Sequence, residues 1–107
     1  MNEPFALVVR FTLAPGTARS FDELVARTVE AIRSQEPGTL IYAVHEVDGH
    51  PEQRIFYELY GDRTAFDAHE QQEHTRLFLA EREQYLVSSE VDFLTVSTAK
   101  GIPRPPT

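Results

Sequence analysis

The sequence predicts an α+β fold: a four-stranded antiparallel sheet with its helices on one face. Three observations carry this. The segments read in the order strand, helix, strand, strand, helices, strand, which is the split βαβ arrangement. Hydrophobic periodicity switches between two and 3.6 residues at Pro- and Gly-marked boundaries. The strands carry apolar residues on both faces, although helices can cover only one.

The first strand spans Phe5 to Leu13, where Phe5, Leu7, Val9, Phe11 and Leu13 alternate with Ala6, Val8, Arg10 and Thr12. Ala14, Pro15, Gly16 and Thr17 form a turn, and Thr17 or Ser20 caps the next segment. Phe21, Leu24, Val25, Thr28, Val29 and Ile32 then recur at helical spacing, giving a helix that stops near Gln35, before Pro37 and Gly38. Leu40–Val47 and Arg54–Gly61 read as a hairpin turning through Asp48, Gly49, His50 and Pro51. Asp62 is the N-cap of a short helix through Ala65, Phe66 and His69 that breaks near Gln72. A second helix begins at His74 or Thr75 and reaches about Val87. Val91 to Thr98 alternates as the last strand, and residues 100–107, with Pro103, Pro105 and Pro106, form a tail outside the single domain over residues 1–99.

At 107 residues the chain is one domain's worth of sequence, and roughly two-thirds of its unfolded surface can be buried. The net charge of -7 and the lack of any cationic cluster argue against nucleic acid. With no Cys, a disulfide framework, a thiolate metal site and a cysteine nucleophile are excluded. No apolar run reaches the roughly 20 residues of a membrane span, and the N-terminus lacks a basic leader, so the expected location is the cytoplasm. The uncovered sheet face calls for a second copy of the chain, so a homodimer through that face is expected.

Chemistry is sought in polar residues at positions where the pattern asks for apolar ones. Glu58 sits mid-strand on the face of Phe56 and Tyr60, where a carboxylate must be paired or have a raised pKa. It either bonds a neighbouring Tyr or Arg structurally or orients a substrate hydroxyl or a His. Arg10 is expected to pair with Glu58 or another carboxylate across the sheet. His69 follows Ala65 and Phe66 on the inward stripe. His74, five residues on, lies about 140° away on a continuous helix, so only a break brings both imidazoles to one pocket. That spacing makes a metal site the weaker reading, and none is predicted. His45 falls on the dimer side, and His50 in the turn is solvated. No phosphate loop, nucleophile elbow or dinucleotide fingerprint is present.

The run Glu36-Pro37-Gly38-Thr39-Leu40-Ile41-Tyr42, the strand Ile55-Phe56-Tyr57-Glu58-Leu59-Tyr60, and Asp67-Ala68-His69 followed by His74 resemble the antibiotic biosynthesis monooxygenase family. The resemblance spans roughly residues 5 to 98. It implies a ferredoxin-like fold whose sheets pair into a dimeric α+β barrel, and oxygenation of a small aromatic or quinol-type molecule without a cofactor. His69 would be the base and Glu58 its orienter or a ligand to the substrate hydroxyl. Tyr42 and Tyr60 would form hydrogen-bonding walls, and His74, Phe56, Phe66 and Phe78 would complete the substrate pocket. Tyr60 stands where many relatives carry Trp. The haem-degrading branch is disfavoured because the chain has no Trp and offers Arg10 in place of a first-strand Asn. A non-oxidative isomerase or cyclase, or a non-catalytic dimer that binds an apolar metabolite, are the alternatives on the same fold.

Overall fold

The computed structural model describes residues 3–102. Its elements are β1 (Phe5–Leu13), α1 (Ala18–Gln35), β2 (Thr39–Val47), β3 (His50–Tyr60), α2 (Arg63–Gln71), α3 (Glu73–Glu81), a 3₁₀ turn (Arg82–Tyr85) and β4 (Leu86–Thr95). The strands form one antiparallel sheet in the order β2-β3-β1-β4, which is the ferredoxin-like α+β fold. No helix among the described residues is long and apolar enough to cross a membrane.

Alternation along β1 sends Leu7, Val9, Phe11 and Leu13 into one core with Phe21, Leu24 and Val25 of α1, Phe56 and Tyr60 of β3, and Phe78 of α3. Phe11 and Phe56 meet edge to face at 4.8 Å and Phe11 and Phe21 at 5.6 Å, the offset geometry that aromatic quadrupoles favour. Pairing register fixes which strand residues share this helix-covered face. Tyr42, Glu58 and Leu7 lie on one transverse row, and Val44, Phe56 and Val9 on the next. A Glu is thereby carried into the interior by the same period-two rule that buries its neighbours. Arg54 is buried on this face as well, and Asp22 accepts from its Nε and Nη2 at 3.0 and 2.9 Å.

The ends of several elements differ from the sequence expectation. Asp48 and Gly49 alone make the hairpin turn, with Gly49 at φ 81°, so His50 and Pro51 already belong to β3. Thr17 precedes α1, but its hydroxyl donates to the Ala14 and Tyr85 carbonyls and accepts from no helix N–H. β4 begins at Leu86, five residues earlier than its alternation suggests. It pairs with β1 along only one edge, and nearly all of it is exposed, so Val87 to Glu90 need no apolar pattern to hold their place. Arg10 corrects another expectation: it points away from the helices and donates to Gln53 at 2.7 Å, far from Glu58. Residues 103–107, with the three prolines of the expected tail, lie outside the described residues.

Candidate active site

The site is assembled at the end of the sheet where β2 and β3 meet α2. Gln72 has φ -67° and ψ 143°, an extended residue that separates α2 from α3. Without that break His69 and His74 would point in different directions; with it, both imidazoles reach Glu36. Glu36 sits immediately after α1, where its backbone N–H closes the helix on Ile32. A carboxylate at a helix C-terminus faces the negative end of the dipole, so it needs donors. It has three. His69 Nδ1–H donates to Oε1 at 2.8 Å, Thr39 Oγ1–H to the same oxygen at 2.6 Å, and His74 Nε2–H to Oε2. Burial pushes the Glu36 pKa up, but the bonds from Thr39 and His74 and the nearby His69 outweigh it, and the net effect is downward.

His69 is 5% exposed and spends Nδ1 on Glu36, with Thr75 Oγ1 3.4 Å from the same nitrogen. With Nδ1 as the donor, the neutral form of the ring carries its lone pair on Nε2. The ring is flanked by Tyr42 and Tyr60, at centroid distances of 5.8 and 5.3 Å. Glu58 is not the partner of His69. Its Oε1 accepts from Tyr60 Oη at 2.5 Å, and burial pushes its pKa up to about 7 against the opposing Tyr60 bond. Burial, together with the Glu58 charge beside each ring, raises both Tyr42 and Tyr60 well above the ordinary tyrosine value.

The remaining predicted residues are divided. Phe56 and Phe78 fill the central core, stacked at 6.0 Å. Phe66 packs edge to face on Tyr60 at 5.3 Å and joins a peripheral cluster with Phe5 and Phe93. His45 and His50 are exposed and remote from the cluster. Glu36, Thr39 and Thr75 were not predicted as site residues. The one available signal was Glu36 and Thr39 inside the Glu36-Pro37-Gly38-Thr39 run, since a Glu ending an amphipathic helix otherwise reads as solvated.

Access is from the α1 and β2 side. A cleft of about 240 Å³ is lined by Ile32, Arg33, Glu36, Thr39, Leu40 and Tyr42. A second, of about 600 Å³ between α1 and β2, shares Val29, Arg33 and Tyr42 with it. Of the clustered side chains Glu36 and Thr39 line the smaller cleft, and Tyr42 lines both. Glu36, His69 and His74 meet as hydrogen-bond partners, and among the described residues no group of three His, Cys, Asp or Glu is arranged to hold a metal ion.

Together these features define a ferredoxin-like α+β domain that encloses a carboxylate held by two imidazoles between its sheet and its helices. The antibiotic biosynthesis monooxygenase family model matches residues 4–81, and the chain belongs to that family. It is similar to a Pseudomonas aeruginosa protein at 26% identity and a TM-score of 0.82, over 92% of this chain and 98% of that one. An antibiotic biosynthesis monooxygenase of known structure shares its fold at 22% identity and a TM-score of 0.80, over 88% and 99%. A Caulobacter crescentus protein does so at 16% identity and 0.85, over 91% and 92%. No curated protein matches the chain.

Proposed function

We propose that this protein is a cofactor-independent monooxygenase that oxidises an aromatic or quinol-type small molecule with dioxygen, working as a cytoplasmic homodimer. The observation that carries this reading is the buried Glu36 carboxylate, which holds His69 through Nδ1 beside two tyrosines. Activating an electron-rich phenol or anthrone needs little more than a positioned base in a dry pocket, because the anion itself reduces dioxygen.

His69 Nε2 removes the proton, and Glu36 stabilises the imidazolium that results. The substrate anion passes one electron to dioxygen, and the two radicals combine to a peroxide. For an anthrone, loss of the second C–H proton with departure of hydroxide leaves a carbonyl, so one CH₂ and one O₂ become one C=O and one water. Glu58, whose pKa near 7 leaves both forms populated at neutrality, is placed to supply the proton that turns hydroxide into water. Tyr42, held protonated by burial, offers its hydroxyl to the substrate oxygen, while Tyr60 spends its own on Glu58 and walls the pocket.

An oxygen electrode with an anthrone and dihydroxynaphthalene panel tests this. Enzyme-dependent uptake is expected, falling about 10²- to 10⁴-fold in His69→Ala, the range a general base contributes. Turnover that persists without oxygen would instead indicate an isomerase or cyclase using the same pair. Absence of any turnover, with ligand binding intact, would indicate a binding protein.

A further inference from the structure

Among the eight arginines of the described residues, seven are engaged with an acceptor. Arg10 and Arg76 bond glutamine side chains, and Arg19, Arg27, Arg33, Arg54 and Arg63 pair with carboxylates. Arg82 is the exception. It follows α3 and lies half-buried, with its guanidinium carbon 5.4 Å from the centre of the Phe11 ring and 5.7 Å from that of Phe78. Its Nε is buried and has no hydrogen-bond partner, the only such side-chain atom among the described residues.

Stacking over an aromatic ring uses the face of a guanidinium and none of its in-plane donors. Arg82 is therefore held in place by two phenylalanines while its hydrogen-bonding edge stays unspent. A buried N–H without an acceptor is a standing cost, and in a chain of net charge -7 a carboxylate partner would be easy to supply. Phe78 in turn stacks on Phe56 at 6.0 Å, and Phe56 meets the Tyr42 ring at 5.8 Å, so Arg82 lies on the aromatic cluster that borders the candidate site, where its charge partly opposes the upward push of burial on Tyr42 and Glu58.

We propose that Arg82 is an anion-binding residue of the candidate site, and that the natural ligand is an aromatic molecule bearing an acidic group, a carboxylate or an acidic phenol, which its guanidinium edge receives. This rests on the site assignment above and narrows its substrate class. A planar, two-pronged donor matches a carboxylate's two oxygens, whereas an uncharged aromatic would leave the cost at Nε unrelieved.

Binding of 1-hydroxy-2-naphthoate and of 1-naphthol, measured by calorimetry on the full chain under nitrogen, provides the test. The naphthoate is expected to bind about tenfold more tightly than the naphthol, the scale of one charge-assisted hydrogen bond. Arg82→Gln should erase that preference and leave naphthol binding unchanged. Arg82→Lys keeps the charge but loses the fork, so it should weaken the naphthoate alone, by about threefold or more. Equal affinities in the wild type, or a preference that survives Arg82→Gln, would overturn the proposal. If Arg82→Gln does not fold, naphthoate binding unaltered in Arg82→Lys would do so. The measurement needs no turnover, so a selective binder that consumes no oxygen overturns the monooxygenase reading and leaves Arg82 standing. An oxygen consumer without selectivity does the reverse.

Discussion

Glu36 shows how a single carboxylate can set the state of its neighbours. Its two oxygens are shared among Thr39, His69 and His74, so one change alters the orientation and proton position of both imidazoles. Glu36→Gln keeps the shape but replaces one acceptor oxygen by a donor and removes the charge opposite the imidazolium. We expect kcat to fall about 10²-fold or more with little change in KM, because the lost interaction is strongest once His69 is protonated. Glu58 makes the opposite electrostatic statement. Its pKa rises from 4.5 to about 7 on folding, so between those values the folded chain binds more protons than the unfolded one. Its contribution therefore favours folding at low pH and is lost as pH rises from about 4.5 to 7, on the order of 3 kcal/mol. Glu36, lowered on folding, acts the other way and only below its ordinary value. Urea unfolding of Glu58→Gln should show a flatter dependence between pH 5 and 8 than the wild type; an unchanged slope would assign the effect elsewhere. The burial of His69, Glu58 and Tyr60 was legible in the sequence, because a polar group on an apolar face must have a partner. The burial of Glu36 and the stacking of Arg82 on Phe11 and Phe78 were not, since both residues lie at helix ends where a charged residue is ordinary.

At the scale of elements, the site depends on two junctions. One is the break at Gln72, legible because the apolar stripe of α2 does not continue in phase into α3. The other is the turn between α1 and β2, where Gly38 lies against α2. A Cβ built on Gly38 would come 2.7 Å from the Ala65 Cβ, and the Gly38 carbonyl accepts from Gly61 N–H at 3.0 Å, so the turn cannot simply swing away. The glycine thus lets α2 approach closely enough for His69 to reach Glu36. Gly38→Ala should cost roughly 1–3 kcal/mol in urea unfolding, the usual penalty of overpacking. Adding Ala65→Gly should recover part of it; a loss that the second change leaves untouched would mean that the contact with α2 is not the cause. Strand boundaries were read less well than strand identities. β1 is buried on alternate residues and announces its ends, whereas β4, paired on one edge and exposed, carries no pattern over Val87–Glu90. The backbone pairing with β1, which the sequence does not display, sets where it starts.

For the whole molecule, the open question raised by the sequence is what meets the sheet face turned away from the helices. Val8 of β1, Ala43 of β2, and Ile55 and Tyr57 of β3 lie there half-buried, with Ile41 37% and Leu94 38% exposed at its margins. Four strands at about 4.8 Å and some nine residues at about 3.3 Å give a face of roughly 19 by 30 Å. Two such faces in contact would remove roughly 1,100 Å² from water, near the lower limit for a specific, stable interface. A second copy supplies a surface of matching shape by symmetry, with no new sequence required. We therefore expect a two-chain mass in sedimentation at micromolar concentration. Val8→Glu should halve that mass, because each copy would bury an unpaired carboxylate in the joined faces, while the core on the helix side keeps each chain folded. A wild-type monomer at tens of micromolar, or a Val8→Glu dimer as stable as the wild type, would move the interface to another surface.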